Sequence, residues 1–317
     1  MAAVLLALLA VVVGLVILTK AADAFVEGAA RLSAALKVSP VVIGAVVVGF
    51  GTSAPEMVVS GIAASQDKLD IAVGNVIGSN IANLSLVLGV SALLCTMTVT
   101  SGIIKREAPL STASVVLFAV LVYDGLERWE GILLAVCLVG ALVFILRGSD
   151  SDNEEMLAEV GEYLEDRSSI SLRGEGFRTV IGLVGVIIGA QLTVEGASTI
   201  ADELGLGEGF VAVTLVALGT SLPELVTAIA AARKNEHELI IGNLLGSNLF
   251  NSLGVGAVAA IAGPGLVSDD KLVSIGLGSM LLVAFGAWLF MFTSKRVVRW
   301  EAIALLGAYV VTIPLLA

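Results

Sequence analysis

Apolar runs separated by short polar breaks recur from one end of the chain to the other. At the length an α-helix needs to cross a bilayer, roughly 17 to 25 residues, they predict ten spans: about 2–33, 39–64, 70–96, 107–123, 130–147, 176–201, 208–232, 238–263, 271–293 and 298–315. Five fall on each side of a polar stretch. The pattern predicts an all-α polytopic membrane protein with ten transmembrane helices in two five-helix halves, 1–148 and 176–317, joined by a linker over 149–175. The first apolar run is read as a span and not as a cleavable leader, because no basic region precedes it.

The two halves repeat one another. Gly51-Thr52-Ser53-Ala54-Pro55-Glu56 returns as Gly219-Thr220-Ser221-Leu222-Pro223-Glu224, and 219 − 51 is 168. The same offset relates Gly74-Asn75-Val76-Ile77-Gly78-Ser79-Asn80 to Gly242-Asn243-Leu244-Leu245-Gly246-Ser247-Asn248, and Val26-Glu27-Gly28-Ala29 to Val194-Glu195-Gly196-Ala197. A fixed, gapless offset over separated segments predicts two copies of one folded unit. Five spans per unit place the copies in opposite orientations across the membrane, an inverted repeat. Gly/Pro-interrupted apolar segments at matching places in two such halves point to the ion or substrate site of a secondary transporter.

Composition sharpens this only in places. With 57% hydrophobic and 14% charged residues and a mean hydropathy of +1.02, the chain lies far from soluble-domain averages, which excludes a soluble enzyme or a nucleic-acid partner and leaves the lipid bilayer as its surroundings. Fourteen of the seventeen Lys and Arg residues fall in segments that are cytoplasmic if the N-terminus is outside, and only Lys68, Arg128 and Lys271 fall in external loops. That bias predicts both termini outside the cell membrane. The net charge of −11 is concentrated in the linker, at Asp150, Asp152, Glu154, Glu155, Glu159, Glu162, Glu165, Asp166 and Glu175. It lacks the Asp-x-Asp-x-Asp-Gly spacing of an EF-hand loop, so it is read as a solvated connector. Cys95 and Cys137 are read as small packing residues and His237 as a loop residue.

The candidate chemistry lies in the repeated motifs. An ionised carboxylate inside a bilayer costs several kcal/mol, roughly 2.5 or more, so Glu56 and Glu224 are functional candidates by default. On a continuous helix Thr52 and Glu56 share a face at i and i+4, as do Thr220 and Glu224. Pro55 and Pro223 lack the N–H that would close the turn onto Gly51 and Gly219 and should open it. Ser79 and Asn83, like Ser247 and Asn251, sit at i and i+4 on the next span. Two carboxylates, hydroxyls, amides and carbonyls without thiolate or imidazole make a hard-cation donor set, suited to calcium with six to eight flexible oxygen ligands. Neutral oxygens also suit sodium, and competition for the shared carboxylates is the elementary requirement for exchange. Glu27 and Glu195, near the ends of the first and sixth spans, are read as interfacial residues, with a vestibule role as the alternative.

At these residues the chain resembles the cation/calcium antiporter superfamily, specifically the prokaryotic sodium/calcium exchangers, along essentially its whole length. The resemblance implies that Glu56 and Glu224 are the principal calcium ligands, with Thr52 and Thr220 offering backbone carbonyls. It implies sodium ligation by Ser53, Ser79, Ser221 and Ser247 with carbonyls near Gly49 and Ala217, and cluster positions for Asn83 and Asn251. Potassium-dependent relatives carry Asp at the place of Asn251, so Asn251 speaks against potassium coupling. The implied activity is secondary antiport of sodium for calcium by alternating access, with the first and sixth helices sliding against the rest, no cofactor, no enzymatic activity, and a monomer as the working unit. A proton/calcium exchanger of the same fold is the nearest alternative, and a cation channel the reading from another class.

The orientation is checked by thiol labelling: with Cys95 and Cys137 replaced, a cysteine at Ser151 should react with an impermeant reagent only after the membrane is opened, and one at Asp124 from outside intact cells.

Overall fold

The structure, a computed structural model, describes residues 2–35, 53–99, 102–146, 172–234 and 237–316. The apolar span expected over 39–64 is therefore described only at its end, and the acidic linker lies almost wholly outside the described residues. Helix α1 runs over Ala2–Ala35, α2 over Ala54–Ser65 and α3 over Leu69–Leu94. Helix α4 opens with a π-helical turn at Ile103–Glu107 and continues over Ala108–Val122, followed by α5 at Arg128–Leu146. In the second half α6 is Leu172–Leu204, α7 Glu208–Thr220 and α8 Leu222–Lys234. Helix α9 runs from His237–Leu249 through a π-helical turn at Phe250–Val255 into Gly256–Ala262. Helix α10 comprises Leu272–Gly276 and Leu277–Ser294, and α11 is Arg299–Leu316. The stretch expected as one helix over 208–232 is thus two, broken at Ser221. Seven of the described helices are long and apolar enough to cross a membrane.

Local chemistry sets the ends. Glu127 N–H donates to Glu130 Oε2 at 2.7 Å and Val298 N–H to Glu301 Oε2 at 2.9 Å, so α5 and α11 begin with the same carboxylate cap on an otherwise orphaned donor. Gly205, at φ 63°, lets Leu206 N–H turn back to Ala201 and ends α6. His237 opens α9 and does not sit in a free loop; its Nδ1 lies 2.9 Å from the Thr98 hydroxyl.

The bundle is layered by burial. For α3 and α9, 83% of the apolar window is buried, whereas for α1 and α5 only 22% is. α3 and α9 are therefore the centre and α1 and α5 the periphery. The outward faces carry Leu5, Leu9, Val136, Phe177 and Phe292 in the open, an apolar perimeter that matches lipid and not water. The polar side chains turn inward, because backbone and side-chain polar groups facing hydrocarbon would go unpaired.

Small residues let the helices approach. The α1–α6 pair is antiparallel, with Gly14 on Gly189 and Thr193, Gly182 on Phe25, and Gly196 on Ala7; a Cβ added to any of these glycines would fall 2.5–2.8 Å from backbone or side-chain atoms. One end of this pair carries ions: Arg178 meets Glu27 at 2.5 Å, and Arg31 meets Glu27 at 2.8 Å and Glu175 at 3.6 Å. Glu27 is thus an ion-pairing residue, while Glu195 is exposed and accepts from Gln191. In the centre, Gly74 packs on Gly209 and Ala212, and Gly78 on Val213 and Ala217, which presses α3 directly onto α7.

Two short strand pairings join the halves. Met97–Thr98 after α3 pairs antiparallel with Arg296–Val297 before α11, and Gly265 after α9 bridges Leu126 before α5. Each links the exit of the middle helix of one half to the entry of the last helix of the other, and Met97 and Gly265 differ by the repeat offset.

Gly78→Ala would place a methyl 2.5 Å from the Ala217 Cβ and 2.7 Å from the Val213 backbone. It should destabilise the protein by about 1–3 kcal/mol, read as a lower melting temperature in detergent.

Candidate functional site

In each half a helix begins just before its carboxylate, and in the second half it follows a break from the preceding helix. Ser221 sits between α7 and α8 at φ −88°, ψ 5°, and Ser53 precedes α2 at φ −97°, ψ 8°. Both are in the sparsely populated bridge region where site residues recur. Pro55 and Pro223 occupy the first turns of α2 and α8 and have no N–H to return to the preceding turn. The expected opening is present beside Pro223, with one correction, while Gly51 lies outside the described residues. Thr220 and Glu224 do not lie on one unbroken helix; they flank the break, although Leu225 N–H still reaches Ser221 O at 3.2 Å. The Ser53 hydroxyl makes no cap to its own helix.

The next helix in each half has a second irregularity. The π-helical turns Ala82–Val87 of α3 and Phe250–Val255 of α9 are separated by the same 168 residues, and Asn83 and Asn251 are the second residue of each. A π turn inserts one residue, redirects the side chains around it, and is found mostly at functional positions. Sequence reasoning found the asparagines but not these turns, because a one-residue widening leaves no periodicity signal in a uniformly apolar helix.

These devices bring the expected residues into the interior. Glu56 is 1% and Glu224 3% exposed, and Ser53, Ser79, Ser221, Ser247, Asn83, Asn251, Thr220 and Ala217 are all buried. Glu56 lies close enough to Glu224 for their charges to act on one another, and the Thr220 hydroxyl reaches the Glu56 carboxylate. Thr52 and Gly49 lie outside the described residues. The hydroxyls of Ser53, Ser79, Ser221 and Ser247, Glu56 Oε2, both amide atoms of Asn83 and Asn251 Oδ1 have no hydrogen-bond partner among the described residues. Roughly 90% or more of buried polar groups are normally paired. The surrounding polar residues obey that rule: Asn75, Asn80, Ser85 and Thr193 all make buried hydrogen bonds. The bare atoms thus include most of the expected ligand side chains, together with Asn248 Oδ1 of the same motif and scattered others such as the Ser91 and Ser111 hydroxyls.

All the bare donors are oxygen except one amide nitrogen, and no group of three or more His, Cys, Asp or Glu poised for a metal occurs among the described residues. The set therefore fits a hard cation held by two carboxylates and neutral oxygens and not a thiolate or imidazole site. Three buried residues escaped assignment from sequence. Asn75, Asn80 and Asn248 belong to the repeated Gly-Asn-x-x-Gly-Ser-Asn motif, which was the available signal. Asn248 Nδ2 donates to Asn80 O at 3.2 Å, so the two copies of the motif meet each other.

A helical membrane bundle with paired buried carboxylates, broken helices and bare oxygens defines a secondary cation transporter. The chain belongs to the sodium/calcium exchanger family, whose model, described as sodium/calcium exchanger protein, matches residues 6–147 and 177–316. It is 30% identical to the sodium/calcium exchanger MaX1 of Methanosarcina acetivorans, covering 95% of this chain and 96% of that one. It is 35% identical to the inner membrane protein YrbG of Escherichia coli, covering 98% and 97%. The structure is similar to that of the sodium-calcium exchanger NCX_Mj, with a TM-score of 0.64 at 31% identity and 98% of each chain covered. The protein is accordingly a membrane transporter of the cation/calcium antiport type.

Each carboxylate carries the cost of its burial, and replacing either removes that cost in the absence of a cation. Glu56→Gln and Glu224→Gln should therefore each melt about 1 kcal/mol more stably than the wild type in chelator, and each should lose the calcium-induced rise in melting temperature that the wild type shows.

Proposed function

We propose that the protein exchanges sodium for calcium across the cell membrane, with both ions using the one buried oxygen site. Ten transmembrane helices in two inverted five-helix repeats, 1–148 and 176–317, carry it, with both termini outside and the segment 149–175 as a cytoplasmic linker. The observation that carries the reading is the bare oxygen set around Glu56 and Glu224, donated by corresponding residues of both halves.

Calcium is bound by Glu56 and Glu224, which balance its charge, together with the Thr52 and Thr220 carbonyls. Sodium is bound by the hydroxyls of Ser53, Ser79, Ser221 and Ser247, with the Gly49 and Ala217 carbonyls and the two carboxylates. Asn83 and Asn251 complete the cluster as neutral donors. Sharing the carboxylates makes occupancy by the two ions exclusive, because a second set of cations would leave excess positive charge in a medium of low dielectric. Sodium moving down its gradient then drives calcium the other way. Access alternates as α1 and α6 slide together against the rest. The glycine faces of that pair and the exposed outer face of α1 support such motion: the α1–α6 contact binds the two into one body, and Gln66 just past α2 meets Gln191 of α6 through a hydrogen bond at 2.9 Å. The protein works as a monomer and needs no cofactor.

The test is calcium uptake by proteoliposomes with the gradients exchanged. An outward sodium gradient should drive uptake, a proton gradient should not, and Glu56→Gln or Glu224→Gln should reduce it by about 100-fold or more, the cost of leaving one buried charge unmatched. Uptake that follows protons and ignores sodium would assign proton/calcium exchange, and unchanged uptake in both variants would remove these residues from the mechanism.

A further inference from the structure

The reading above leaves three buried asparagines of the repeated motif, Asn75, Asn80 and Asn248, without a role, and of these Asn75 bonds directly to candidate ligand residues. Asn75, on α3, is 0% exposed. Its Nδ2 donates to the backbone carbonyl of Glu56 at 3.3 Å and to the Ser60 hydroxyl at 3.0 Å, both on α2. Its Oδ1 accepts from the Thr220 hydroxyl at 3.4 Å, on α7. One amide therefore spans three helices and both halves of the chain, and it touches the backbone of one candidate ligand and the side chain of another.

The surroundings make this bridge stiff. On either side of Asn75's turn, Gly74 lies against Gly209 and Ala212 and Gly78 against Val213 and Ala217, so α3 has no freedom to withdraw from α7. Ser60 is itself anchored, donating to Ala72 O at 3.2 Å. The Thr220 hydroxyl also has Ala217 O at 3.2 Å and the Glu56 carboxylate within reach, and its single proton serves one acceptor at a time. When that proton goes to Asn75, a lone pair of the Ala217 carbonyl is left for an ion. The device belongs to one half only. The repeat partner of Asn75 is Asn243, but the partner of Ser60 is Ala228, which has no hydroxyl to accept the amide.

We infer that Asn75 is a positioning residue for the cation site: it fixes Glu56 of the first half against Thr220 of the second, and so sets the ion affinity without itself being a ligand. The inference rests on the cation-site reading. Because Asn75 acts through the separation of two ligands, its removal changes how tightly an ion is held and not how fast the helices move.

The experiment compares wild type, Asn75→Leu, Ser60→Ala and the double variant in proteoliposomes. The readouts are the half-saturating calcium concentration, the maximal rate and the calcium-dependent melting shift of the purified protein. Asn75→Leu should raise the half-saturating calcium about tenfold and Ser60→Ala about threefold, the range a buried hydrogen bond supports, with maximal rate per folded molecule held within a factor of about two. Ser60→Ala should add nothing in the Asn75→Leu background. An Asn75→Leu protein with unchanged half-saturation in a transporting wild type overturns the inference and leaves the exchange reading intact. So does a fall in maximal rate alone. If Asn75→Leu does not fold, Ser60→Ala decides, and unchanged affinity there overturns the inference. A wild type that binds calcium but moves none under any gradient fails the exchange reading, and the melting titration still decides the role of Asn75. A wild type that does neither removes both.

Discussion

The cost of keeping two carboxylates away from water governs this molecule. Glu56 and Glu224 are almost completely buried and close enough to repel, an arrangement that no apolar core would tolerate without a compensating positive charge. The interior is therefore built around oxygen. The second-half helix is interrupted beside Glu224, α2 begins just before Glu56, and the next helices widen at Asn83 and Asn251, so that polar side chains gather inside a bundle whose outer faces are apolar. Irregular backbone of this kind survives at membrane depth only where it is surrounded by protein or lines a polar cavity.

That polar centre depends on close packing by small residues. Gly74 and Gly78 bring α3 onto α7, and glycines on both α1 and α6 bring that peripheral pair together. The two contacts serve opposite ends. At the centre, backbone proximity joins a helix of one half to a helix of the other and leaves the ligand segments little freedom. At the periphery, smooth glycine faces hold α1 to α6, and the ionic group of Glu27, Arg31, Glu175 and Arg178 fastens that pair at one end. The strand pairings of Met97–Thr98 with Arg296–Val297 and of Leu126 with Gly265 repeat the same cross-half connection at the helix ends.

The halves are related but not equivalent. Glu27 pairs with two arginines, whereas its repeat partner Glu195 is exposed and bonded by Gln191. Ser60 supports Asn75 where the other half has Ala228. A duplicated chain diverges most freely where a residue touches only its own half. On the proposed reading both copies of the Thr-Ser-x-Pro-Glu and Gly-Ser-Asn segments serve one ion, and these segments remain alike between the halves.

The sequence by itself determined the membrane class, the bounds of most described helices to within a few residues, and the polar residues that the structure buries. Hydropathy and the length of an apolar run are one-dimensional quantities, and a motif repeated at a fixed offset announces its own importance. Proline at 223 even announced the helix break at Ser221, since a missing N–H is a covalent fact. Only the tertiary structure decided that the break separates Thr220 from Glu224, that π turns present Asn83 and Asn251, and that Asn75 ties Glu56 to Thr220. Those features arise from contacts between residues up to 145 positions apart, and hydrogen bonds made across helices leave no trace in the periodicity of any one of them.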